Sequence, residues 1–210
     1  MTAKLPLIHY HAPNTRSFSI HWLFEELGNP PHEMKVLNLK AGEHKAPAYL
    51  AINPMGKVPA IVHGATVITE AAAIALYLAD LFPQAGLAPT IGDTARGTYL
   101  RWIVYNQAAV EPAMCDHAMK RDQGPESMLP YGTYETTVNT LAGALAKGPY
   151  ILGDKFSAAD VIVGSGVRWM LMFKLLPERP EFTRYAERLN ARPALQRAVA
   201  SDQALTAELA

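Results

Sequence analysis

The chain has 210 residues, 50% of them hydrophobic, with 19 Lys and Arg against 19 Asp and Glu, which is enough for one large core or two modest ones. A formal net charge of zero, with no basic block or acidic tail, argues against nucleic acid or an anionic membrane as a partner. The single cysteine, Cys115, excludes an internal disulfide; the start Met1-Thr2-Ala3-Lys4-Leu5-Pro6 lacks a secretory leader's apolar run; and charges or prolines interrupt every approach to the roughly 20 apolar residues of a membrane span. A cytoplasmic protein in a reducing compartment is expected.

In chain order, Leu5 to Tyr10 reads as a buried strand. Ser17 to Leu27 has helical spacing of Phe18, Trp22 and their neighbours, with Gly28 as a stop before Pro30-Pro31. Met34 to Leu39 is a second strand, and Val58 to Val62 with Thr66 to Ile68 flank His63-Gly64-Ala65 as an antiparallel hairpin. An alanine-rich helix from Glu70 to Leu81 ends before Pro83. The order is β-α-β, an irregular crossover, then β-β-α, the signature of an α/β layer.

After Pro83 the texture changes. The Pro- and Gly-bounded stretch 84–90 reads as a linker, and strand signals largely vanish beyond it. Helices are expected near 93–120, 131–147, 158–175, 180–190 and 193–201, with Pro112 kinking the first because it lacks the amide donor. The run Val161-Ile162-Val163-Gly164-Ser165-Gly166-Val167 is apolar or small on every side, as in a helix at the centre of a bundle. Ser157-Ala158-Ala159-Asp160 before it reads as a capping box with a short acid. The expected domains are 1–83 and 91–210.

Four segments, in this order and spacing, resemble the cytosolic glutathione transferase superfamily over essentially the whole chain. They are Tyr10-His11-Ala12-Pro13-Asn14-Thr15-Arg16-Ser17 with Trp22 to Gly28, Ala51-Ile52-Asn53-Pro54-Met55-Gly56-Lys57-Val58-Pro59-Ala60-Ile61, Glu70 to Leu78, and Phe156 to Val161. The resemblance, to bacterial theta-like or nu-like members, implies a thioredoxin-like first domain followed by an all-helical second. It also implies glutathione as co-substrate, no metal, and a homodimer.

By the same resemblance, Val58 adds glutathione to a sheet edge as a short strand, with the Val58–Pro59 bond cis. His44, 13 residues before Lys57, and Lys57 itself face the glycine carboxylate, while Glu70 faces the γ-glutamyl ammonium. Taken alone, His44 and Lys57 read as solvated surface residues and Glu70 as a favourable charge at a helix start. Many relatives have Ser or Thr where this chain has Ala71, which leaves the backbone amide to do that residue's work and predicts weaker glutathione binding.

The thiol must be held as thiolate against an unperturbed pKa near 8.5. Thr15 is the first choice for its hydroxyl donor, with Asn14 and Ser17 as rivals; the plain alternative for Thr15 is a helix N-cap. No cysteine stands in this loop near Arg16, which argues against a mixed disulfide on the protein. Cys115 reads as a small, at least partly buried residue, not a metal ligand.

Arg101 and Tyr105, on one helical face, together with Met114, His117 and Trp169, are candidates for the second-substrate pocket. The resemblance implies transfer of the glutathione sulfur to an electrophilic, mostly apolar small molecule. The alternatives are a glutathione-dependent peroxidase or disulfide reductase, and a non-catalytic binding module.

Overall fold

The computed structural model describes residues 5–122 and 124–210, so Met1 to Lys4, part of the reading of the chain start, lie outside the described residues. Two compact units emerge. One contains the described residues up to Ala85 together with Pro193–Ala210, and the other the described residues of Gly86–Arg192.

The first unit is built on four strands, β1 (Leu7–His11), β2 (Glu33–Val36), β3 (Ala60–His63) and β4 (Thr66–Thr69), in the order β2-β1-β3-β4. β1 pairs parallel with β2 and antiparallel with β3, and β3 pairs antiparallel with β4. Helix α1 (Phe18–Glu26) connects β1 to β2, a four-residue α2 (Pro47–Leu50) lies in the irregular crossover, and α3 (Ala71–Leu81) follows the hairpin. This is the expected thioredoxin-like arrangement, with each element's type as read from periodicity. Gly28, at φ 81°, closes α1 in the left-handed conformation that glycine adopts without a Cβ penalty, while Asn29 N reaches back to Phe24 O at 2.8 Å. The apolar core joins Ile20, Trp22, Leu23 and Phe24 of α1 to Ile61 of β3 and Ile74 and Leu78 of α3.

Alternation along β1 sends Leu7, His9 and His11 inward, so two of the three buried side chains on this strand are imidazoles. The last helix, α9 (Pro193–Glu208), was expected with the helical domain and packs instead against α1. Leu195 and Ala198 are buried there, Arg197 Nε donates to Glu25 Oε2 at 2.7 Å, and Asp202 meets His11. The physical reason is that α9 carries a small apolar face and a buried acid, and α1 and β1 carry their complements.

The second unit is all helical: α4 (Ala95–Tyr105), α5 (Glu111–Ala118), α6 (Tyr134–Leu145), α7 (Ala158–Met172) and α8 (Pro180–Asn190). The single helix expected over 93–120 is divided by a π turn at Asn106–Val110, and Pro112 falls in the first turn of α5, where its missing amide costs nothing. α7 is the central helix, buried continuously from Ala158 to Gly164. A Cβ on Gly166 would stand 3.1 Å from Asn106 Oδ1, so the glycine lets the π turn approach α7 closely. The Ser157–Asp160 capping box forms as read, Ser157 N donating to Asp160 Oδ2 at 3.0 Å. Among the described residues, no helix is long and apolar enough to cross a membrane.

Candidate functional site

Sheet register gathers the first-unit candidates at one end of the sheet. Tyr10 pairs with Ala60, and Ala60 with Thr69. The loop after β1, the Val58–Pro59 step and Glu70 therefore leave adjacent strands at the same edge. The Val58–Pro59 bond is cis. Among the described residues, neither the amide nor the carbonyl of Val58 has a hydrogen-bond partner, which leaves a short backbone edge able to pair with an extended peptide. Lys57 just before it is fixed through its carbonyl, which accepts from Tyr49 Oη at 2.6 Å and Asn53 Nδ2 at 2.8 Å, while its side chain is exposed. Burial pushes the Tyr49 hydroxyl up to about 12, so it remains a donor.

His44 lies in a single 3₁₀ turn (Glu43–Lys45) that packs on the Gly56 corner. A Cβ on Gly56 would come within 2.8 Å of the His44 carbonyl, and Gly56 has φ 59°. The close approach of a bare backbone brings the His44 segment beside Lys57. Glu70 is the N-cap of α3 at φ 66°, ψ 117°, yet its side chain makes no capping bond. A non-glycine residue in that region is sterically costly, and Glu70 is exposed. Ala71, buried, opens α3 with its amide in the uncapped first turn.

The loop from Ala12 to Ser17 holds the three hydroxyl and amide candidates. The N-cap of α1 is Ser17, not Thr15, and Ser17 makes no side-chain capping bond. Its buried hydroxyl accepts from Ala12 N at 3.0 Å and lies 2.8 Å from His11 Nδ1 and 2.8 Å from Thr15 Oγ1. Thr15, half-buried, donates to the Ala12 carbonyl at 2.7 Å. Asn14, at φ 57°, ties the loop to α9: its amide donates to Asp202 Oδ2 at 3.1 Å and its Nδ2 to Thr206 Oγ1 at 2.9 Å. Of the three, Thr15 alone is neither sealed in the core nor committed through its side chain to the last helix.

Within the second unit the pocket candidates fall into separate groups. The Arg101 guanidinium lies 4.6 Å from the Trp102 ring, and Tyr105 meets the same ring edge-on at 5.4 Å. His117 stacks on Tyr134 at 3.9 Å. Trp169, 43% exposed, lies 4.6 Å from Phe173. Met114 is only 2% exposed and packs as core. Cys115 is half-buried, and the described residues contain no group of His, Cys, Asp and Glu able to hold a metal ion.

The buried histidines of the first unit, unlike His44, were given no role in the reading of the sequence. His9, His11 and His21 are all buried, with ring centroids 5.0 to 6.5 Å apart. Burial, then the neighbouring His11, His21 and His32, hold His9 well below the usual histidine range, and burial lowers His21 to about 4. The available signal was the period-two spacing of His9 and His11 on a strand otherwise read as buried.

Residues 5–80 match the glutathione S-transferase N-terminal domain and residues 132–193 the glutathione S-transferase C-terminal domain. Glutathione S-transferase GST-4.5 of Xanthomonas campestris pv. campestris is 30% identical over 146 residues, 66% of this chain and 71% of that protein. Glutathione S-transferase A of Pleuronectes platessa is 29% identical over 192 residues, 83% and 82% of the two chains. A solved glutathione transferase homologue from Sulfitobacter, with bound glutathione, matches at a TM-score of 0.76 and 27% identity, covering 96% of this chain and 99% of that one. With a four-stranded thioredoxin-like sheet followed by an all-helical unit, and matches to both of the family's domains, the chain belongs to the glutathione S-transferase family.

Proposed function

We propose that the chain is a glutathione transferase that binds glutathione along the Val58 edge and activates its thiol at Thr15 for attack on an electrophilic, mostly apolar small molecule. What supports this is the register of Tyr10 with Ala60 and of Ala60 with Thr69, by which the loop that carries Thr15, the Val58–Pro59 step and Glu70 all adjoin one end of the sheet. In this reading Val58 pairs with the tripeptide backbone, Lys57 and His44 take the glycine carboxylate, and Glu70 takes the γ-glutamyl ammonium. The Ala71 amide replaces the hydroxyl that many relatives have there, and Pro59 fixes the turn.

A hydroxyl at Thr15 and the amides at the start of α1 favour thiolate over thiol, each unit of pKa depression corresponding to about 1.4 kcal/mol. Arg101, Tyr105, His117 and Trp169 are proposed to wall the second-substrate pocket, where a Tyr or Arg donor can stabilise developing negative charge. The protein is proposed to act as a cytoplasmic homodimer of a bacterial theta-like or nu-like type.

The test is retention on immobilised glutathione, followed by assay with aryl halide, peroxide and mixed-disulfide substrates. Retention with aryl halide conjugation supports the proposal. Failure to bind glutathione overturns it, and activity confined to peroxide or disulfide replaces conjugation with reduction.

A further inference from the structure

Four side chains make a continuous hydrogen-bonded chain from the half-buried end of the catalytic loop into the core. Thr15 Oγ1 lies 2.8 Å from Ser17 Oγ, Ser17 Oγ lies 2.8 Å from His11 Nδ1, and His11 Nε2 lies 2.9 Å from Asp202 Oδ1. Exposure falls along it: Thr15 is half-buried, and Ser17 and His11 are fully enclosed. The far end is fixed independently, since Asp202 Oδ2 accepts the Asn14 amide at 3.1 Å. The fold thus spends its last helix on bringing a carboxylate to the back of the imidazole.

We propose that Thr15, Ser17, His11 and Asp202 form a relay that carries the proton of the glutathione thiol from the binding edge to the buried His11. This rests on the reading of Thr15 as the group that meets the sulfur. The neutral imidazole starts with its proton on Nε2, donated to Asp202, and Nδ1 accepting from Ser17. The S–H bond breaks and its proton passes to Thr15 Oγ1. The Thr15 hydroxyl proton passes to Ser17 Oγ, and the Ser17 hydroxyl proton to His11 Nδ1. The products are a thiolate and an imidazolium held by the Asp202 carboxylate, with no proton lost to solvent. Every link then donates outward: Nδ1–H to Ser17, Ser17 to Thr15, and Thr15 to sulfur. Ser17 and Thr15 can both use the Ala12 carbonyl as acceptor when no ligand is present, so the hydroxyls have a resting arrangement to turn from. His11, Ser17 and Asp202 act through Thr15 and are positioning residues.

An unperturbed imidazole titrates near 6.5 and a cysteine-type thiol near 8.5, so the unaided transfer is uphill by about a hundredfold. The amides of α1 favour the thiolate at the near end of the chain, and at the far end Asp202 Oδ1 stands 2.9 Å from His11 Nε2 as a hydrogen-bond acceptor. The other titratable groups around His11 do not oppose it. Burial lowers His9, on the same strand, and His21, on α1, the latter to about 4, so both are neutral near pH 7. His32 faces His9 at 6.2 Å, and Glu25 of α1 is paired with Arg197 of α9 at 2.7 Å. Among the described residues, neither nitrogen of His9 or of His21 has a hydrogen-bond partner, so neither ring stands in for His11 in the chain.

The test is stopped-flow mixing of the full-length protein with glutathione near pH 7, thiolate read by ultraviolet absorbance and released protons by a pH indicator. The relay predicts thiolate formation with well under one proton released per site; one proton released per thiolate overturns it, and this measurement needs no variant. In Asp202→Asn and His11→Gln, the pKa of the bound thiol rises by about one unit, or about tenfold less thiolate below it, while binding of S-methylglutathione, which has no thiol proton, is unchanged. Loss of S-methylglutathione binding in wild type overturns the glutathione reading itself. A thiol pKa raised by Thr15→Ala but unmoved by Asp202→Asn and His11→Gln overturns the relay alone.

Discussion

Tyr185 Oη donates to Asp160 Oδ1 at 2.9 Å in the buried centre of the helical unit. The same carboxylate also accepts from Ile151 N at 2.8 Å, Ser157 N at 3.0 Å and Ser157 Oγ at 3.2 Å. One acid therefore ties together the start of α7, the segment before it and α8. Asp160→Ala leaves four donors without their acceptor, each costing about 1–3 kcal/mol when buried, and is expected to destabilise the protein by at least about 4 kcal/mol. Ser157→Ala, which removes the capping hydroxyl, costs about 1 kcal/mol. Urea unfolding of the two variants measures the difference, and equal losses would contradict it.

Two buried groups give opposite pH dependences over the same range. His21 is lowered from 6.5 to about 4 by burial, so the folded state binds fewer protons than the unfolded chain. Its contribution is fully present above pH 6.5 and is lost as pH falls through 4, about 3 kcal/mol in all. Asp160 is raised from 3.8 to about 6, again by burial. Its contribution is present below pH 3.8 and is lost as pH rises through 6, also about 3 kcal/mol. The two slopes nearly cancel in the wild-type protein. Unfolding free energies measured from pH 4 to 7 should show His21→Leu losing stability as pH rises and Asp160→Asn gaining it, each relative to wild type.

Thr15→Ala is expected to raise the pKa of the bound glutathione thiol by one to two units, about 10- to 100-fold in thiolate at neutral pH, with little change in the affinity for S-methylglutathione. Thr15→Ser, which retains the hydroxyl, restores activity. Titration of thiolate absorbance in the three proteins checks this, and an unchanged pKa in Thr15→Ala would move the donor's role elsewhere.

Ala71→Ser puts a hydroxyl at the first position of α3, beside the uncapped amides behind Glu70. One added hydrogen bond to a charged ligand group, at roughly 1 kcal/mol net, predicts about fivefold tighter glutathione binding by calorimetry. Tight wild-type binding with no gain in Ala71→Ser would show that the backbone amide suffices.

Much of the fold was legible in the sequence because its signals are local. Periodicity gave the strands and helices, Gly28 and the Ser157–Asp160 box gave their ends, and the run through Val161 to Val167 gave the central helix. The cis Val58–Pro59 step and the placement of Glu70 at the start of α3 followed from the resemblance of their segments to the family, while the φ 66° backbone of Glu70 had no sequence signal. The division of the 93–120 helix was only half legible, since Pro112 marks a break but the π turn before it depends on the close approach of Asn106 to Gly166.

What tertiary structure alone decided is the back of the site. His11 and Asp202 are 191 positions apart, and no periodicity or motif links residues at such a separation. Only the packing of α9 on α1 brings the carboxylate to the imidazole. The inward side of β1 was likewise decided by pairing register, which buries His9 and His11 whatever their hydropathy, because a strand commits alternate residues to one face. The sequence by itself determined the strands and turns that bring the Val58–Pro59 step and the hydroxyl-bearing loop after β1 to one end of the sheet, where the glutathione site is proposed. The tertiary structure decided which buried groups stand behind that hydroxyl, because desolvation and hydrogen bonding depend on what packs together and not on what is adjacent in the chain.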